Sequence, residues 1–162
     1  SITDRLGRSS FLDRAVNAGL DGVILPDLDP EQALDVANLC DQRGLSLGLL
    51  VGPATTGSRV TRILDSCRGF VYLLARAGIT GESKAAPEVE ARVTELRKLS
   101  KLPIACGFGI GSPSQVEAVT KHADAAIVGS ALVRRLQNTT DPASCASTFV
   151  QELRTGLAQP AR

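Results

Sequence analysis

The sequence predicts a single α/β domain built on parallel strands, and three observations support this class. Five short apolar runs alternate with segments of helical periodicity. The runs are apolar throughout, as in strands of parallel sheets that are covered on both faces. Most connections are short, which fits a repeating unit of one strand followed by one helix. The length of 162 residues suits one domain, residues 1–162, with a core of its own.

The five predicted strands follow from these runs. They read GVIL, LGLLV, FVYLL, PIAC and AAIV, at residues 22–25, 47–51, 70–74, 103–106 and 125–128. If the strands pair in sequence order, the first and the last form the two edges of the sheet. Such edges invite aggregation or pairing with another chain.

The helices are predicted from apolar residues spaced three and four apart and from their boundary residues. Pro30 and Glu31 suit a first turn, and Gly44 suits the end of that helix. Ser112 and Pro113 suit an N-cap and a first helical position. The predicted helices are residues 11–18, 30–42, 58–66, 88–99, 114–122, 130–136 and 143–157.

Two architectures fit this order of elements, a doubly wound open sheet and a (β/α)₈ barrel. No GxGxxG stretch follows the first predicted strand. This absence weakens the interpretation as a dinucleotide-binding domain.

Composition excludes several classes of function. The net charge is +1, and four Phe and one Tyr are the only aromatic residues, which argues against nucleic-acid binding. The four cysteines form no CxxC pair and there is one histidine, so we expect no metal site and buried thiols in a reducing cytoplasm. The polar N-terminus and the lack of an apolar run of about 18 residues predict neither a secretory signal nor a membrane span.

Glycines at three predicted strand ends indicate a phosphate site. Gly78 and Gly81 follow the third strand, Gly107 and Gly109 the fourth, and Gly129 with Ser130 the fifth. Glycine lets backbone N–H groups approach a phosphate closely, and a helix N-terminus adds donors and a favourable dipole. In β/α barrels the phosphate site is built from the last two such loops. Tight turns alone would also explain each glycine, but the combination favours phosphate binding.

A long connection and a lone tyrosine are weaker signals. Residues 75–87 link the third strand to its helix, although such connections usually have about 2–6 residues. This length is typical of a lid over a site. Tyr72 lies in the third predicted strand, where its hydroxyl could reach a ligand or the ring could belong to the core.

These motifs together resemble the tryptophan synthase alpha chain family. The resemblance rests on five stretches of sequence. They are DGVILPDL at residues 21–28, FVYLL at 70–74, GITG at 78–81, GFGIGSP at 107–113 and VGSA at 128–131. It covers the chain from about Phe11 to the last helix. It implies that the five strands are the last five of a (β/α)₈ barrel that cleaves indole-3-glycerol phosphate to indole and glyceraldehyde 3-phosphate.

The resemblance also implies roles for individual residues. The phosphate-binding positions are Gly81, Gly109, Gly129 and Ser130. The substrate pocket contains Leu50, Tyr72 and Phe108 on the indole side and Thr80 on the mobile loop, and Arg76 supports that loop. Leu28, Asp29 and Pro30 match the contact with the beta chain in an assembly of two alpha and two beta chains. Pyridoxal phosphate belongs to the beta chain, so no cofactor is expected in this one.

The chain departs from the family in its catalytic residues. The family uses a glutamate on the second strand and an aspartate on the loop after it, and no stretch of that type occurs here. Glu31, Glu82, Glu88 and Glu90 fall on predicted helices or loops. Because a full barrel takes about 250 residues, and because residue 1 is Ser rather than Met, we expect an N-terminally incomplete barrel whose two carboxylates lie before residue 1.

Three interpretations remain open at this point. The first is an N-terminally truncated alpha chain that is inactive alone. The second is a half-barrel that binds phosphate or the beta chain without catalysis. The third is another phosphate-binding barrel enzyme, such as a phosphosugar epimerase or a thiamine-phosphate synthase, although neither explains YLLARAGITG and GFGIGSP together.

Overall fold

The structure, a computed structural model, describes residues 2–74, 89–107, 109–137 and 139–157. Within these ranges strands and helices alternate between an initial pair and a final pair of helices. The helices are α1 Ile2–Leu6, α2 Arg8–Asn17, α3 Ala33–Asp41, α4 Ser58–Ser66, α5 Glu90–Leu99, α6 Pro113–Thr120, α7 Ser130–Leu136 and α8 Pro142–Arg154. The strands are β1 Gly22–Ile24, β2 Ser46–Val51, β3 Val71–Leu74, β4 Ile104–Gly107 and β5 Ala125–Ile127.

The five strands form one parallel sheet in the order β1-β2-β3-β4-β5. A doubly wound sheet reverses its strand order near the middle, and this sheet does not. Consecutive order with a helix after each strand is the arrangement of a β/α barrel. The predicted partial (β/α)₈ barrel is therefore confirmed, and β1 and β5 lie at the two ends of the sheet as expected.

One face of the sheet forms the core with the helices. Alternate strand residues point to this face, and they are fully or almost fully buried: Leu47, Leu49, Val51, Val71, Leu73, Ile104 and Cys106. Helix residues such as Val36, Val60 and Leu96 complete the core. Burial of these aliphatic side chains is the main source of stability of the sheet.

The opposite face of the sheet, which we call the inner face, is less covered. The strand register places Ile24, Leu50, Tyr72, Ala105 and Ile127 on it. Leu50, Tyr72 and Ile127 are partly exposed, whereas Ile24 is 42% exposed. The prediction that the strands are buried on both faces is thus confirmed on the helix side and wrong for much of the inner face.

Most predicted boundaries hold to within a few residues, and two differences have clear causes. The helix predicted at 30–42 begins only at Ala33, because the Asp29 carboxylate accepts the Glu31 N–H at 3.0 Å and forms a separate turn. The helix predicted at 11–18 is α2, which begins three residues earlier at Arg8, and the unpredicted α1 precedes it, separated by Gly7 with a φ of 76°. Ser112 caps α6 as predicted, accepting the Gln115 N–H at 3.4 Å.

The start of β4 is tied to α5 and to β5 by one carboxylate. Asp124 accepts the Ile104 N–H at 2.8 Å and the Arg97 guanidinium at 3.0 Å. Partial burial opposes ionisation of Asp124, but these hydrogen bonds and the Arg97 charge outweigh it and lower the pKa of the carboxyl. The ionised side chain therefore stabilises the end of the sheet opposite to the glycine-rich turns.

All four cysteines are free, and Cys40, Cys67 and Cys106 are buried. Burial raises the pKa of each of these three thiols, to about 12 for Cys106. They remain protonated at neutral pH and pack as small apolar side chains. Within the described ranges, no helix is long and apolar enough to cross a membrane.

Candidate functional site at the carboxyl ends of the strands

The carboxyl ends of the parallel strands bring the described candidate residues to one edge of the sheet. Leu50 on β2 pairs with Tyr72 on β3, so the two side chains are neighbours on the inner face. Both are partly exposed there. The structure thus places these two predicted pocket residues together, on the face that points into a barrel. Leu74 and Ile127, which the sequence did not single out, lie on the same face.

The Tyr72 ring leans along its strand and lies over Gly107 at the end of β4. A Cβ added to Gly107 would be 2.9 Å from Tyr72 Cζ and closer still to the hydroxyl oxygen. Any larger residue at position 107 would therefore displace the ring. The sequence places Gly107 among the strand-end glycines that indicate a phosphate site, and the family resemblance gives it no role of its own. The structure separates their roles, since Gly107 makes room for Tyr72.

Gly109 and the residues after it form the turn from β4 into α6. Gly109 has a φ of 78°, in the left-handed region that favours glycine. Ile110 is buried and anchors the turn in the core. The buried Gln115 side chain accepts the Gly111 N–H at 2.8 Å. The turn is therefore held by one apolar and one polar contact, which fixes the path of the backbone at Gly109.

Gly129 and Ser130 form the neighbouring turn after β5. Because β4 and β5 are paired in parallel, their carboxyl ends lie side by side, and so do the two turns. Ser130 is the first residue of α7, whose first N–H groups have no partner within the helix. A Cβ at Gly129 would have no heavy atom within 4 Å, so packing does not require glycine there. The space around position 129 thus accepts a Cβ.

A further turn closes the end of β2. Gly52 donates its N–H to Thr55 Oγ1 at 3.1 Å, and Thr55 donates its own to the Gly52 carbonyl at 3.1 Å. Arg92 on α5 donates to the Thr55 carbonyl and to Glu95. Arg92 therefore fastens this turn to the helix that follows residues 75–88. Sequence patterns could not have identified this link, because it joins positions far apart in the chain.

Several predicted site residues lie outside the described residues. They are Arg76, Thr80 and Gly81 in the connection after β3, and Phe108 between β4 and α6. Of the glutamates, Glu31 and Glu90 are exposed near the starts of α3 and α5, and Glu82 and Glu88 lie outside the described part. In the part of the chain that the structure describes, no group of three or more His, Cys, Asp or Glu could hold a metal ion.

The described pocket side chains are apolar or neutral. Burial, with a smaller contribution from Cys106, raises the pKa of the Tyr72 hydroxyl above its usual value. Tyr72 is therefore a neutral hydrogen-bonding group at neutral pH and not a base. The described part of the candidate site therefore offers a neutral, largely apolar surface beside two glycine-containing turns.

Comparison with known proteins gives a consistent result. The sequence model of the family described as "Tryptophan synthase alpha chain" matches residues 3–161. The tryptophan synthase alpha chain of Methanocaldococcus jannaschii is 39% identical over 142 residues, which are 87% of this chain and 50% of that protein. The alpha chain of Prochlorococcus marinus is 45% identical over 132 residues, 80% of this chain and 48% of that one.

Solved structures agree in fold. Tryptophan synthase of M. tuberculosis in an aminoacrylate-bound form superposes with a TM-score of 0.80 at 29% identity, covering 96% of this chain and 58% of that chain. The alpha subunit of Legionella pneumophila tryptophan synthase gives 0.80 at 30% identity, covering 95% and 58%. The chain thus spans about half the length of the relatives that it matches. A different phosphate-binding barrel family, one of the open interpretations, is excluded.

Proposed function

Because the chain belongs to the tryptophan synthase alpha chain family, a family of lyases, we propose that it supplies the phosphate-binding and indole-side part of an alpha-subunit site. The substrate would be indole-3-glycerol phosphate, and the reaction its aldol cleavage to indole and glyceraldehyde 3-phosphate. The observation that carries the proposal is the position of two glycine-containing turns beside the Leu50–Tyr72 pair. The turns follow the paired strands β4 and β5.

The proposed phosphate site consists of backbone donors and one hydroxyl. Gly109 and Gly129 would contribute backbone N–H groups, and Ser130, the first residue of α7, would contribute its Oγ. A dianion gains from several such donors and from the positive end of the helix dipole. Gly81 would complete the site from the connection after β3.

The proposed indole side is a flat apolar surface. Leu50 and Tyr72 provide its described part, and Phe108 would extend it. The neutral Tyr72 hydroxyl can orient a polar atom of the substrate without exchanging a proton with it. Thr80 would close the site from the mobile connection, with Arg76 in support.

We further propose that the chain binds this substrate without cleaving it. Protonation of the indole ring needs a general acid within hydrogen-bond reach of the reacting carbon. The two family carboxylates have no counterpart in this sequence. Glu31 and Glu90, the two glutamates considered above that the structure describes, are exposed near the starts of α3 and α5. We therefore expect this chain to bind the substrate without converting it to products.

The proposed partner is a tryptophan synthase beta chain, in an assembly of two alpha and two beta chains in the cytoplasm. Its contact would include Leu28, Asp29 and Pro30, in the turn between β1 and α3. Asp29 is exposed, whereas Leu28 and Pro30 are partly buried. This turn lies at the same ends of the strands as the proposed substrate site, so the contact would sit beside it.

Thermal unfolding in the presence of glycerol phosphate tests the phosphate site. At ten times the dissociation constant we expect the midpoint to rise by about 3–6 °C. Gly129→Leu should abolish the rise, because its side chain occupies the anion position, while the unliganded chain keeps its stability. Asn38→Leu, on the exposed side of α3, is the matched control and should keep the rise. An equal rise in Gly129→Leu would contradict the proposal.

A further inference from the structure

The first turn of α6 carries a buried polar side chain to which the family resemblance gives no role. Gln115 is only 6% exposed, although glutamines mostly lie on protein surfaces. Its carboxamide oxygen accepts the Gly111 N–H at 2.8 Å. Burial of a polar group is costly unless the group is hydrogen-bonded, so this bond is what allows Gln115 to be buried. The bond connects α6 to the turn that contains Gly109.

The spacing of Ser112 and Gln115 is that of a helix capping box. In that motif the side chain at the third helical position accepts the N–H of the capping residue, so that the two residues close the helix end together. Ser112 Oγ accepts the Gln115 N–H at 3.4 Å, as the motif requires. The Gln115 side chain, however, reaches one residue further back and bonds to Gly111. Its oxygen therefore restrains the turn before the helix and not only the helix end.

The backbone of this turn has to be held because it is rich in glycine. Glycine loses more conformational freedom on ordering than any other residue, and both Gly109 and Gly111 lie here. Gly109 also has a φ of 78°. Ile110 lies between them and is buried in the core. Ile110 thus holds the middle of the turn, and Gln115 holds the end that leads into α6.

The start of α6 is itself held by the end of the chain that the structure describes. A Cβ added to Gly156, just after α8, would overlap the Pro113 carbonyl oxygen and lie 2.8 Å from the carbonyl carbon. Glycine is therefore required for so close an approach of the two backbones. Pro113 is the first residue of α6, and Gln115 is the third. The Gln115 side chain thus extends from a helix start that α8 supports.

We propose that Gln115 is a positioning residue for the phosphate site proposed above. Its oxygen holds Gly111, and through Gly111 the backbone of Gly109, in the conformation that binds the anion. Donors that are already in place bind an anion more tightly than donors that must be ordered on binding. The proposal rests on the proposed function, because the residue acts on that site without touching the ligand.

Calorimetric titration with glycerol phosphate, well below the unfolding midpoint, tests this role. Gln115→Leu removes the acceptor, and we expect the dissociation constant to rise about threefold to tenfold, which corresponds to the loss of one hydrogen bond. Val119→Ala is the matched control, because Val119 is fully buried in the same helix and lies one turn further from the glycines. It should lower stability and leave the dissociation constant unchanged.

Amide hydrogen exchange measures whether the change is confined to the turn. In Gln115→Leu the Gly111 amide should exchange about tenfold faster relative to the Ile104 amide of β4. Gln115→Glu should keep the Gly111 amide protected, because its carboxylate also accepts the N–H. If circular dichroism shows that Gln115→Leu does not fold, Gln115→Asn takes its place, since its amide is shorter by one methylene group and falls short of Gly111.

Three results would overturn the proposal: an unchanged dissociation constant in Gln115→Leu, equal weakening in Val119→Ala, or unchanged exchange at Gly111. Failure of the phosphate site itself gives a different result. If wild type does not bind glycerol phosphate, the site fails and the role of Gln115 fails with it. If wild type binds and Gln115→Leu binds equally well, only the role of Gln115 fails.

Discussion

The contact between Tyr72 and Gly107 leads to a quantitative prediction about the site. In Gly107→Ala the new Cβ would lie 2.9 Å from Tyr72 Cζ and 3.0 Å from Cε1. These separations are shorter than carbon atoms tolerate, so the ring must move towards the open inner face. Overpacking of a closed core costs about 1–3 kcal/mol, and the cost here should lie at the lower end of that range, because the displaced atoms are the far end of a partly exposed side chain. We expect the free energy of unfolding to fall by about that amount.

A double-mutant cycle in urea, followed by circular dichroism, measures this effect. Tyr72→Ala removes the ring, so Gly107→Ala should cost much less in that background. The expected coupling is about 1 kcal/mol. Gly129→Ala is the matched glycine control, because its Cβ meets no heavy atom within 4 Å, and it should change stability by less than about 0.5 kcal/mol. Additive effects of the Tyr72 and Gly107 substitutions would refute the assigned contact.

Two further predictions concern the fold that carries the site. Because its folded pKa is lowered, Asp124 should stabilise the fold above the pKa of the unfolded chain, and this contribution should be lost as the pH falls through the folded pKa. Asp124→Asn should therefore lower stability near pH 7 by about 1 kcal/mol or less, given its exposure. It should also flatten the fall in stability at acid pH, and identical pH curves for wild type and Asp124→Asn would disprove the assignment. A thiol reagent at pH 7 should modify the partly exposed Cys145 first and the three buried thiols only on unfolding, and rapid reaction of all four in the folded chain would contradict the described core.

The sequence predicted the strands and most helices because their patterns are local. Apolar runs such as LGLLV need only their own residues to indicate a buried strand, and Ser112-Pro113 marks the start of α6 by local capping chemistry. The start of α3 was missed because the Asp29 side chain competes for a backbone N–H. The alternation of strands and helices then predicted that the strands run parallel to one another.

The positions of the candidate residues were predictable in part, and their roles stay predictions. Gly109, Gly129 and Ser130 lie in the turns after β4 and β5, and Leu50 and Tyr72 lie side by side on the inner face. The role of Gly107 was not predictable, because the closeness of Tyr72 depends on the register of β3 against β4 and on the lean of one ring. The incomplete burial of the inner face could not be predicted either. An apolar run indicates that a strand is suited to burial, but it does not show whether other residues cover that strand.

The central claim, that this chain binds the substrate but lacks the acid–base pair, is tested most directly by titrating it with indole-3-glycerol phosphate. Calorimetry measures binding, and chromatography of the same samples measures free indole. We predict saturable binding that Gly129→Leu abolishes, with no release of indole above the uncatalysed rate. Release of indole by the purified chain, lost on substitution of Tyr72 or Gly129, would contradict the claim.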